Sequence, residues 1–153
     1  MPHPTDAHRQ LEPLVGRWTG TETWHPSPIS PDGSTAEGHV HNRLILGGFA
    51  LVQDYEHVAD GEVVLRGHGV FRFDASSGEV HLHWFDSIGA PPNLYRGGFD
   101  GDRLVLTEQQ EQGWVRAIFD LSEPDRYVFG METSGDGEQF SPLMEGRYLR
   151  VEV

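Results

Sequence analysis

The sequence predicts an all-β fold: one closed, antiparallel, up-and-down β-barrel of about ten strands, entered through a short N-terminal helix. Three observations carry that expectation. Helical periodicity appears only near the start, turn chemistry recurs at short intervals after it, and the stretches between turns alternate in polarity. With so little helix to cover a sheet, closing the sheet on itself removes the two exposed edges that a flat meander would leave. A two-sheet sandwich needs longer crossing connections than this spacing offers.

The elements follow in order. Thr5 or Asp6 caps a helical lead-in over residues 5–15, whose apolar stripe is Leu11, Leu14 and Val15. Pro13 cuts it short and Gly16 ends it. Turns are marked at Pro31-Asp32-Gly33, Gly47-Gly48, Asp60-Gly61, Ser76-Ser77-Gly78, Asp100-Gly101, Gln112-Gly113 and Gly135-Asp136-Gly137. Between them lie β-type segments such as Val63 to Arg66, Val80 to Trp84 and Arg103 to Leu106. No domain boundary or repeat interrupts the pattern, so residues 1–153 read as a single barrel domain. Two connections suit a barrel mouth: the Pro- and Ser-rich segment His25 to Ser34, and Ile88-Gly89-Ala90-Pro91-Pro92.

Composition narrows the function. The chain has no cysteine, which excludes disulfides and thiolate chemistry and suits a reducing compartment. Its formal charge of −13, with no Arg cluster, argues against nucleic-acid and anionic-membrane partners. No apolar run reaches the roughly 20 residues of a membrane span, and Met1 to Asp6 lacks the features of a signal peptide. A cytoplasmic location is the expectation.

Several segments carry a resemblance. Leu14-Val15-Gly16-Arg17-Trp18-Thr19-Gly20 is similar to the opening Gly-x-Trp strand of lipocalins and fatty-acid-binding proteins, barrels of the calycin type. Arg43 to Phe49, Gln53-Asp54-Tyr55, Trp84 to Ser87 and Glu145 to Arg150 resemble an uncharacterised, mainly bacterial lipocalin-like family known only as a domain of unknown function. That resemblance spans about Leu11 to Arg150. It implies the barrel and brings no activity. It also implies that Trp18 plugs the closed end, with Arg150 stacked over its ring. Trp18-Thr19-Gly20 to His25-Pro26 also resembles the opening of nitrobindins, whose haem iron is held by a histidine near the C-terminus. This chain has no histidine after His83, so no haem or other cofactor is expected.

Candidate ligand-binding residues are polar or aromatic groups within inward-facing sets. Glu22 shares a face with Trp18, Gly20 and Trp24, and Asp86 shares one with Leu82 and Trp84. A buried carboxylate needs a partner, which points to Arg43 or a tyrosine hydroxyl. Gln53 and Tyr55 follow Phe49 and Leu51, while Asp54 follows Ala50 and Val52, which leaves the facing of that strand open. Phe129, Glu132 and Tyr148 complete the set, and alternation leaves Glu132 ambiguous. The pairs His39-x-His41 and His81-x-His83 have two-ligand metal spacing, but they alternate with apolar residues and read as solvated, so no metal site is expected.

The functional expectation is a barrel that binds a small apolar or mixed-polarity molecule. One alternative is an acid/base enzyme using Asp86, Glu22 or Glu132 with Tyr148 or Tyr55. The other is a structural module with a filled barrel that pairs as a homodimer.

Overall fold

The computed structural model describes residues 1–27 and 31–151. Helix α1 (Asp6–Arg9) starts after Thr5, whose backbone N–H donates to His8 Nδ1 at 3.0 Å. The lead-in is not one continuous helix. A separate 3-10 turn spans Glu12–Leu14, and Pro13 lies within its first residues, where a missing N–H costs nothing. Leu11 and Leu14 are both buried, as the apolar stripe requires.

Ten strands follow: β1 (Gly16–Trp24), β2 (Ser34–Ile45), β3 (Ala50–Ala59), β4 (Glu62–Asp74), β5 (Glu79–Asp86), β6 (Asn93–Asp100), β7 (Arg103–Gln110), β8 (Gly113–Glu123), β9 (Arg126–Ser134) and β10 (Ser141–Arg150). Each pairs antiparallel with its chain neighbours, and β1 pairs with β10 to close the barrel. The expected fold class is the observed one. The β3–β4 hairpin shows how locally it is encoded: Asp60 and Gly61 have φ of 53° and 78°, the left-handed pair that a tight hairpin turn requires.

At the end where β1 begins, Trp18 is 2% exposed and lies opposite Arg150 across the closing seam. The Arg150 guanidinium sits 4.2 Å above the Trp18 ring. It also donates to the Val15 carbonyl at 2.6 Å and the Pro124 carbonyl at 3.0 Å. Trp18 Nε1 and Asn42 Nδ2 both donate to the Leu14 carbonyl, at 2.9 and 2.8 Å. The lead-in is therefore pinned across the barrel end, and its leucines join one apolar cluster with Trp18, Phe71 and Leu104.

Three expectations need correction. Arg43 does not enter the barrel; it lies on the outer face and pairs with Asp54 at 2.8 Å, each side chain being about half exposed. Glu132 is also outside, paired with Arg116 at 2.9 Å, because β9 turns Met131 rather than Glu132 to the interior. His81 is on the outer face as expected but is buried, not solvated, between Arg72 at 3.1 Å and Glu79 at 3.4 Å. The His25 to Ser34 flap falls partly on residues 28–30, outside the described residues.

Candidate functional site

The barrel interior holds a cavity of about 330 Å³, opening at the end where β1 finishes. Glu22, Trp24, Gln53, Tyr55, Trp84, Asp86, Phe129 and Tyr148 all line it, which brings together eight of the ten sequence-derived candidates. The facing of β3 is thereby resolved: Gln53 and Tyr55 point inward, and Asp54 points outward to Arg43 and His68.

Glu22 is completely buried, and its carboxylate collects hydrogen bonds from three residues. The Tyr55 hydroxyl donates to Oε1 at 2.7 Å and to Oε2 at 2.9 Å. His57 Nδ1 lies 2.6 Å from Oε1, and the Tyr148 hydroxyl donates to Oε2. Every partner is a group able to donate, the arrangement that makes a buried carboxylate tolerable. Both oxygens are engaged, so Glu22 cannot act as a base towards a ligand without first breaking a bond.

Sequence reasoning missed His57, although the signal was present: it lies two residues beyond Tyr55 and so shares the inward face of β3. Its side chain is 15% exposed, and Trp24 meets it edge-on at 6.1 Å between ring centroids. Tyr127 is also part of this wall, stacked on Tyr148 at 4.9 Å and set edge-on to Trp18 at 4.8 Å.

Glycines make room for the network. Gly38 on β2 pairs with Gly20 on β1, and a Cβ at Gly38 would stand 2.6 Å from Glu22 Oε2 and 2.9 Å from the Tyr148 ring. On β4, a Cβ at Gly67 would collide with the Trp84 ring, and one at Gly69 would press on Leu82 at 2.9 Å and on the same ring at 3.1 Å. Trp84 Nε1 is then aimed at Asp86 Oδ2, 3.0 Å away, while the Ile88 backbone N–H donates to Oδ1 at 3.1 Å.

All four tyrosines of the chain line the cavity. Burial pushes the Tyr95 hydroxyl up to about 12, with Glu108 and Asp86 adding to the effect. Burial first, and then the Glu22 carboxylate, pushes Tyr55, Tyr127 and Tyr148 further. The stability held in these phenols is present below their unfolded value near 10 and is lost as pH rises above it, because the unfolded chain then releases protons that the fold retains. Ultraviolet titration of the folded protein at a pH of about 10.5 should therefore show no tyrosinate band. The band should appear together with loss of the β-sheet signal. A gradual rise centred near 10 in folded protein would contradict the burial of these hydroxyls.

A second, more open depression of about 720 Å³ runs along the outside of β1 to β5. Its polar side chains largely satisfy one another, as in His68–Asp54 at 2.7 Å and Arg66–Glu56 at 3.2 Å. Among the described residues there is no group of three or more His, Asp or Glu placed to hold a metal ion. No helix of the described chain is long and apolar enough to cross a membrane.

The fold and site define a class: a closed ten-stranded antiparallel barrel in which a buried carboxylate network borders an apolar cavity. Within that class the chain belongs to the DUF1579 family, described as proteins of unknown function, whose signature spans residues 3–150. The fold is similar to that of Rv2717c from M. tuberculosis, with a TM-score of 0.69, 18% identity, and coverage of 97% of this chain and 99% of the other. It is also similar to the S-type phycobiliprotein lyase CPES from Guillardia theta, with a TM-score of 0.62, 10% identity, and coverage of 98% and 99%. At these identities the likeness concerns the fold alone. No curated protein sequence matches the chain.

Proposed function

We propose that the protein binds a small, largely apolar molecule inside its barrel. The observation that carries this reading is the cavity of about 330 Å³, walled by Trp24, Trp84, Phe119 and Phe129 and bounded by the Glu22 network. A volume of that size is at the lower end of ordinary ligand sites, and aromatic walls with a few fixed polar groups are their usual chemistry. The glycines opposite Glu22 and Trp84 are consistent with it, since larger residues there would displace side chains that shape the wall.

The test uses 2-ethylnaphthalene and titration calorimetry. The protein should bind it, and Ala117→Phe should abolish that binding. Ala117 is 3% exposed and lines the cavity, so the larger ring fills the space. Circular dichroism should show the variant folded, its overpacking costing about 1–3 kcal/mol. Binding unchanged by Ala117→Phe would place the ligand elsewhere, and no binding at all would refute the reading.

The acid/base alternative has less support. Glu132 is outside the barrel, and Glu22 has both oxygens occupied by donors.

A further inference from the structure

The cavity wall has hydrogen-bond donors that the fold does not use. Trp24 Nε1 is buried without a partner. Gln53 is 6% exposed and, like the hydroxyls of Tyr95 and Tyr127, makes no side-chain hydrogen bond among the described residues. All four side chains line the cavity. A buried donor without a partner, as at Trp24 Nε1, is uncommon in folded proteins, because it forfeits its hydrogen bond to water. The carboxylate acceptors of the same wall are already engaged: Glu22 by Tyr55, His57 and Tyr148, and Asp86 by Trp84 and Ile88. The Gln53 amide and the two free hydroxyls can donate or accept, whereas the Trp24 indole can only donate.

Charge adds a second constraint. Glu22 and Asp86 are the charged side chains lining the cavity among the described residues, and no arginine joins them. An anionic ligand would be stripped of water beside two carboxylates with no lining cation to compensate. An ammonium ligand would meet carboxylates whose oxygens already accept bonds, and would leave the buried Trp24 Nε1 donor unmet.

We infer that the cavity takes an uncharged, aromatic-sized molecule bearing a hydrogen-bond acceptor, of the ketone, aldehyde, amide or lactone class, and discriminates against carboxylates. The inference rests on the reading of the barrel as a binding cavity. The carbonyl oxygen accepts from the unused donors, while the aromatic walls hold the ring.

Four probes on one ring system test it by titration calorimetry near neutral pH: 2-acetylnaphthalene, 2-ethylnaphthalene, 2-naphthoate and 2-naphthylmethylammonium. The ketone should bind about tenfold tighter than the hydrocarbon, the size of one net hydrogen bond. The naphthoate should bind about a hundredfold weaker than the ketone, as expected for a desolvated, unpaired charge. Gln53→Leu and Tyr127→Phe, made separately and checked for folding, should each lower the ratio of ketone to hydrocarbon affinity by several-fold. Naphthoate or ammonium binding as tightly as the ketone would overturn the inference, as would a ketone no tighter than the hydrocarbon or a ratio insensitive to both variants. If the hydrocarbon binds without the predicted order, this inference alone fails. If none of the four binds, the cavity reading fails with it.

Discussion

Glu22→Leu should destabilise the barrel by about 3–5 kcal/mol, the range found when one partner of a buried, hydrogen-bonded charge network is removed. Leucine approximates the volume of glutamate but accepts no hydrogen bond. The Tyr148 and Tyr55 hydroxyls and His57 Nδ1 would then face an apolar side chain where they now converge on one carboxylate. The Tyr148 hydroxyl, in a residue 3% exposed, loses its bond with no water to replace it, while Tyr55 and His57 are partly buried and recover less of theirs than in open solvent. Adding Tyr55→Phe and Tyr148→Phe to Glu22→Leu should recover part of the loss, because those changes remove the orphans themselves. Urea denaturation of the single and triple variants measures both steps. A Glu22→Leu protein as stable as the parent would show that the network adds nothing to the fold. A triple variant less stable than the single one would show that the loss does not come from unmet hydroxyls.

The barrel was legible because its causes are local. Turn residues at short spacing and alternation between them specify hairpins, and ten successive hairpin-linked strands leave closure as the way to avoid open edges. The lead-in was less legible. Pro13 reads as a terminator, yet it is the second residue of a 3-10 turn that lets the Leu14 carbonyl meet both Trp18 and Asn42. Those partners come from β1 and β2, and no local rule announces them.

The site divides in the same manner. Alternation correctly placed Glu22, Trp84 and Tyr148 inward and supplied tyrosine hydroxyls as partners for Glu22. The same rule places Arg43 outside, two residues beyond His41 and on its face, so proposing it as the counter-charge put the need for a partner ahead of the pattern. The actual nitrogen partner, His57, satisfies alternation from Tyr55. Glu132 shows the opposite difficulty: Val128, Gly130 and Glu132 form a weakly apolar set. Only pairing with β8 fixed their facing, by setting Arg116 opposite Glu132 and Ala117 opposite Met131. Alternation sets His81 on the outer face but says nothing of its cover, which Arg72 supplies from β4 and Glu79 from the start of β5.

Trp18→Ala should cost about 3–5 kcal/mol, the usual loss for a large buried aromatic, from a domain whose whole stability is on the order of 5–15 kcal/mol. The melting temperature should fall by on the order of 10 °C. More than an indole is at stake, because Trp18 joins three parts of the barrel end. Its ring supports the Arg150 guanidinium at 4.2 Å, its Nε1 holds the Leu14 carbonyl at 2.9 Å, and its edge packs on Tyr127 at 4.8 Å. Removing it leaves a void beneath Leu11 and Leu14 and takes away the surface on which Arg150 lies. Trp18→Phe separates these roles: it retains a ring for Arg150 and Tyr127 while deleting the Nε1–H donor, and Asn42 still serves the Leu14 carbonyl. Its loss should therefore be clearly smaller than that of alanine. Since Tyr127 stacks on Tyr148, and Tyr148 donates to Glu22, the alanine variant should also loosen the cavity floor. The readout is the ultraviolet titration, with tyrosinate appearing at lower pH than in the parent. A Trp18→Ala protein that melts with the parent, or one whose tyrosines titrate as before, would remove the plug from its place in holding the barrel closed beneath the cavity.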